Sequence, residues 1–121
     1  MNRSIVIIGF VGLWLGGSCA LAQDSEALYG QKCASCHAKD GSGHTAVAAK
    51  LEVPDFRSKR IKEMSDADMY DSIAQGTRHK EYPHAFLHTG LTEQQIQGLV
   101  KYIRVLASSK PSSAARDKAQ P

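Results

Sequence analysis

Apolar positions change their spacing along this chain, and the change separates one continuous run from several helical stripes. Residues 5–15 are apolar behind Arg3 and too few to span a bilayer comfortably. Ala20-Leu21-Ala22 follows as a small-residue cleavage site. The combination predicts a secretory signal peptide over residues 1–22, cut before Gln23. A retained membrane anchor and a lipidated Cys19 are the alternatives. Against the second, Gly16-Gly17-Ser18 lacks the leucine expected three positions upstream of a lipidated cysteine.

Beyond that run the pattern is helical. Asp24 or Ser25 can cap a first helix that passes through Glu26, Ala27, Leu28, Tyr29 and Lys32. Gly41, Ser42 and Gly43 mark a loop. Ala46, Val47, Ala48 and Ala49 favour a short helix over residues 45–51, and Pro54-Asp55-Phe56 breaks it. Ser65-x-x-Asp68 opens a clear helix with Met69, Tyr70, Ile73 and Ala74 on its apolar stripe, and Gly76 sits where a C′ glycine belongs. Residues 77–90 are irregular and rich in His, Lys, Tyr and Pro. Thr92-Glu93-Gln94-Gln95 is a capping box, and Ile96, Leu99, Val100, Ile103 and Leu106 follow at helical spacing. Arg104 and Lys110 sit toward the negative end of that helix. No strand pattern and no internal repeat is present, so the chain reads as all-α. It divides into the signal peptide, one small domain over residues 23–109, and a disordered tail over residues 110–121 with nothing to bury.

Composition narrows the function. The formal charge of the 121 residues is +3, and losing Arg3 lowers it by one. That balance does not suggest nucleic-acid binding. Cleavage would remove Cys19 and leave Cys33 and Cys36 as the cysteines of an exported chain. Two cysteines make no disulfide framework, although export implies an oxidising compartment. A domain of about 100 residues buries a modest core.

Those two cysteines stand in Cys33-Ala34-Ser35-Cys36-His37, and Cys-x-x-Cys-His reads as a c-type haem attachment site. Two thiols add across the two vinyl groups of one porphyrin, and the next residue, His37, is carried beneath the ring to bind iron. A thioredoxin-like redox pair would need a βαβ context. A zinc site would want a second ligand pair, and the histidines are scattered along the sequence.

With these residues in place the chain resembles the class I, mitochondrial-type c cytochromes of bacteria over nearly all of residues 25–107. Tyr29 matches the aromatic of the family's first helix, and Leu91-Thr92 through Tyr102-Ile103-Arg104 resembles its last helix, which crosses the first. Gly98 would let the two backbones approach there; otherwise it is a tolerated helix glycine. Pro54 resembles the proline whose carbonyl accepts a hydrogen bond from the haem histidine's second nitrogen; otherwise it is a loop proline. The resemblance implies a small cytochrome c fold of three to four helices wrapped around one covalently attached haem c, with Cys33 and Cys36 as anchors and His37 as proximal iron ligand.

The resemblance also exposes a departure. The family usually places a Met-Pro pair before its last helix, where the methionine takes the distal face of the iron. Here Tyr82-Pro83-His84-Ala85-Phe86 stands in that place, and no methionine follows Met69. Aligning the last helix at Leu91-Thr92 puts His84 in the ligand slot. The other candidates are His88, His79 and Met69, with His79 and His88 read as solvent-facing and Met69 as core; an open distal site is the third reading. His44 is read as an ordinary surface histidine. His/Met ligation raises a haem potential, so histidine in place of methionine lowers it. Phe56, Tyr70, Phe86 and Tyr102 read as ring-packing or core residues. Tyr82 reads as a propionate donor or a surface residue, and Lys32, Lys39 and Lys80 as haem-edge or ordinary solvated lysines.

The resulting expectation is a soluble periplasmic monohaem cytochrome. It would carry single electrons between a donor and an acceptor redox protein, with no enzymatic activity of its own. No nucleic acid and no stable membrane insertion after signal cleavage are expected. A haem-based sensor or small-ligand binder with an open distal site is the alternative, as is a haem subunit of an oxidoreductase complex.

Overall fold

A computed structural model describes residues 18–79 and 84–111, with side chains described from Asp24 onward. The expectations for residues 1–17, for Lys80, Tyr82 and Pro83, and for the tail beyond Pro111 lie outside these residues. Among the described residues six helices and no strand are present: α1 (Ser18–Lys32), α2 (Ala34–His37), α3 (Ala46–Leu51), α4 (Lys59–Glu63), α5 (Asp66–Ala74) and α6 (Glu93–Ser108). The all-α expectation holds. None of these helices is long and apolar enough to cross a membrane.

The start of α1 differs from the expected cap at Asp24 or Ser25. The helix runs back to Ser18 because Ala20, Leu21 and Ala22 are good helix formers. Ser25, freed from a capping role, is buried and faces α6 instead. A Cβ on Gly98 would collide with Ser25 Oγ. Gly98 is therefore a close-approach residue between the first and last helices, which pack against one another.

The ends of α5 and α6 follow the expected chemistry. The Ser65 hydroxyl accepts from the Asp68 amide, and Gly76 follows α5 at a φ of 70°. Thr92 and Gln95 form the reciprocal capping box of α6. The stripe of Ile96, Leu99, Val100, Ile103 and Leu106 is buried, with Ala107 added. It packs on Tyr29, Phe56, Ile61, Met69, Ile73 and Ala74 in one core. Tyr29, Ile96 and Leu99 are its largest fully buried side chains. Tyr29 lies 5.3 Å from Tyr102 and 6.3 Å from Phe56, ring to ring.

Two features depart from the sequence pattern. Helix α4 was not foreseen, because its charged Lys59–Glu63 segment buries only Ile61. Arg104 does not complement its own helix end. Its Nε donates to Asp66 Oδ1 at 2.8 Å, and its terminal nitrogens donate to the carbonyls of Ile61 and Met64. The last carbonyls of a helix are left short of donors. Here Ile61 O also accepts from the Met64 amide at 3.3 Å, and one guanidinium from α6 adds a second donor to it and serves Met64 O while bridging to α5.

Candidate haem site

Helix α1 delivers the first cysteine directly. The Cys33 amide donates to the Tyr29 carbonyl at 2.8 Å, and the amides of Cys36 and His37 return to the Cys33 carbonyl at 3.2 and 2.9 Å. The motif is thus one tight helical turn, α2, hinged at Cys33. Ala38 stops it with a φ of 63°, a conformation unfavourable for alanine. The Tyr29 hydroxyl holds this turn by donating to the Ala38 carbonyl at 2.7 Å. Burial keeps Tyr29 well above the usual phenol range, so the hydroxyl remains a donor. Thr45 ties the turn to α3, accepting from the Ala48 amide and donating to the Cys36 carbonyl.

Both thiols are free; Cys33 is buried and Cys36 half-buried. Burial pushes the Cys33 thiol up to about 11, with Cys36 adding to the shift. His37 stacks on Phe56 with ring centroids 4.7 Å apart. Gly41 makes room for that ring, since a Cβ there would lie 2.7 Å from Phe56 Cδ2. The His37 Nδ1 atom is buried without a hydrogen-bond partner. This corrects the expectation for Pro54, whose carbonyl does not accept from His37. The Val53–Pro54 backbone packs over Gly43 instead, with Val53 O 2.6 Å from where a Cβ would stand.

The opposite wall is hung from the end of α5. The last carbonyls of a helix have no partner within it. Here Ser72 O faces His84 Nδ1 at 3.3 Å, while Ile73 O and Ala74 O accept from the amides of Phe86 and Leu87 at 3.1 and 3.2 Å. A carbonyl facing Nδ1 selects the tautomer protonated there and leaves the lone pair on Nε2. His84 also stacks on Phe86, with centroids 5.2 Å apart.

Three imidazoles meet between these walls. His84 lies 6.0 Å from His37 and 3.7 Å from His79 by ring centroid. One nitrogen from each of the three rings lies within 4.8 Å of the others. Burial lowers all three from the ordinary histidine range. His37 falls to about 4, with His84 and His79 adding to the effect; His79 falls to about 4, with His84 adding; for His84 the Ser72 carbonyl opposes the fall. Neutral imidazoles are metal-binding imidazoles.

The remaining candidates separate cleanly. His79 is half-buried and in the cluster, not solvent-facing. His88 is exposed, as its solvent-facing reading has it, and its Nε2 pairs with Gln75 Oε1 at 3.0 Å. Met69 is buried in the core, as its place on the apolar stripe suggested. His44, Lys32 and Lys39 are exposed. The fold gathers three histidines, His37, His79 and His84, that are scattered along the sequence. Arg57, unremarked in the sequence, is nearly buried between Asp55 (2.7 Å) and Asp40 (3.6 Å) and braces the loop that carries Phe56.

The family described as cytochrome C oxidase, cbb3-type, subunit III matches residues 20–103. The chain belongs to this family. It is therefore a c-type cytochrome domain, whose cofactor is a c-type haem and whose chemistry is electron transfer. Comparison with curated proteins finds no significant match. The side chains of this cytochrome fit the cofactor. Two unpaired thiols flank a histidine, and imidazoles face one another across the site. His37, His79 and His84 each bring one nitrogen to within 4.8 Å of the others, a donor set that would suit iron held by imidazole.

Proposed function

We propose that this cytochrome is an exported, periplasmic, monohaem electron carrier with bis-histidine ligation. Cys33 and Cys36 anchor the haem covalently, His37 binds iron from the proximal side and His84 from the distal side. The observation that carries the reading is the facing pair of His37 and His84 beside the free thiols of Cys33 and Cys36.

When bound, the haem supplies a ferric/ferrous couple. The protein supplies orientation and environment. Phe56 fixes the plane of the His37 ring, and the strained turn at Ala38 makes His37 the last residue of α2. The Ser72 carbonyl orients His84 and raises its basicity as a ligand. Imidazole in place of a thioether lowers the potential. A six-coordinate iron needs no substrate site, which supports a carrier that is not itself an enzyme. The redox donor and acceptor would dock weakly over a small interface. The family description names an oxidase subunit, so a second reading is a haem subunit of a larger complex, distinguished by co-purification at high mass.

The test is the optical spectrum of the purified holoprotein, ferric and then reduced. A low-spin ferric spectrum without the far-red band of a sulfur–iron bond is expected. That band would overturn the His84 assignment, and a high-spin spectrum would favour the sensor reading.

A further inference from the structure

Two imidazoles, His79 and His84, share a cluster with His37, and the proposed ligand pair uses one of the two. We propose that His79 is a reserve distal ligand, able to take the iron position when His84 is absent or displaced. The inference rests on the bis-histidine reading and concerns a residue that reading leaves unused.

Three observations support it. The His79 ring is in contact with His84, with centroids 3.7 Å apart. Its ligating nitrogen shares the 4.8 Å cluster with those of His37 and His84. Its Nδ1 atom is buried without a hydrogen-bond partner, and an unpartnered buried nitrogen is costly unless something uses it. The two rings are nevertheless not equivalent. His84 Nδ1 faces the Ser72 carbonyl, and such a partner orients and strengthens a metal-bound histidine. His79 has no counterpart bond. The geometry therefore ranks His84 first and His79 second. Exchange swaps one neutral imidazole nitrogen for another and moves neither an electron nor a proton. The backbone places His79 independently of His84, because the His79 amide donates to the Gly76 carbonyl at 3.1 Å.

The test uses the holoprotein as wild type, H84A, H79A and H79A/H84A. The readouts are the ferric spin state and the rate of carbon monoxide binding to the ferrous form. A ligand tethered in the site competes at an effective concentration of about millimolar or higher. H84A is then expected to stay mainly low-spin and to bind carbon monoxide roughly tenfold or more slowly than the double variant. H79A is expected to stay low-spin, since His84 remains. Equal high-spin spectra and equal rates for H84A and the double variant would overturn the proposal and leave His84 as sole distal ligand. A double variant that stays low-spin would place the distal ligand elsewhere, overturning both this inference and the reading beneath it. Added imidazole should return the double variant to low spin, which reports an intact pocket. If it does not, H84Q and H79Q/H84Q are scored by the same criteria.

Discussion

Gly98 can be tested as the joint between the two ends of the domain. Replacing it with alanine has two opposed consequences. Alanine is the better helix former by about 1 kcal/mol. The new methyl, however, would enter the space of Ser25 Oγ, while Ser25 Cβ stands at an ordinary 3.6 Å. Overpacking a buried contact costs about 1–3 kcal/mol, so G98A alone should be between neutral and about 2 kcal/mol destabilising. In an S25A background the hydroxyl is gone and only the 3.6 Å contact remains. There G98A should stabilise by up to about 1 kcal/mol. The coupling between the two positions is therefore about 1–3 kcal/mol, within the range of contacting pairs. Denaturant unfolding of the four holoproteins, with unchanged slopes, measures it. Equal effects of G98A in both backgrounds would refute the close-approach argument and leave Gly98 as a tolerated helix glycine.

Two further predictions follow from the bonds described. R104M should destabilise the fold by about 1–3 kcal/mol, because it leaves the Met64 carbonyl without its donor and removes one of the two donors to the Ile61 carbonyl. The exposed Asp66 pairing should matter little, so D66N should change stability far less in the same unfolding experiment, and parity between the two would refute this ranking. In the reduced apoprotein, burial holds the Cys33 thiol up to about 11, and the thiolate is the reactive form. Iodoacetamide should therefore modify half-buried Cys36 first, and Cys33 labelling should accelerate with pH up to about 11; mass mapping of the labelled peptides that finds Cys33 first would contradict this.

Much of the molecule is legible in the sequence. Helices α5 and α6 announce themselves because cap residues and apolar spacing agree. The Cys33–His37 motif is equally plain, since its chemistry is local. What escaped was non-local. The segment that became α4 carries one buried residue and four charged ones, so no stripe marks it. Arg104 was read against its own helix dipole, although a long side chain can serve another helix's carbonyls. The Pro54 expectation assumed a backbone acceptor, and backbone carbonyl directions leave no mark in side-chain identity. His84 was visible through its place before α6. His79 was misread because its burial depends on where α5 ends.

The two sides of the site have different origins, and this determines what can disturb each. The proximal side is a single turn, with Cys33 bonded back to Tyr29 in α1 and His37 bonded back to Cys33. The distal side is assembled from the terminal carbonyls of α5, which hold His84, Phe86 and Leu87. Helix α5 is in turn fastened to α6 through the core and Arg104. The two walls are joined in part where α1 meets α6, at Ser25 and Gly98 and at Tyr29 and Tyr102. Widening that crossing would move one ligand wall relative to the other without touching either histidine. Loosening Arg104 acts within the α4–α5–α6 unit and leaves the proximal turn alone. A haem gripped from both sides would resist the first change, because it ties α2 to the distal loop directly. The stability cost at Gly98 should therefore be larger in the apoprotein than in the holoprotein.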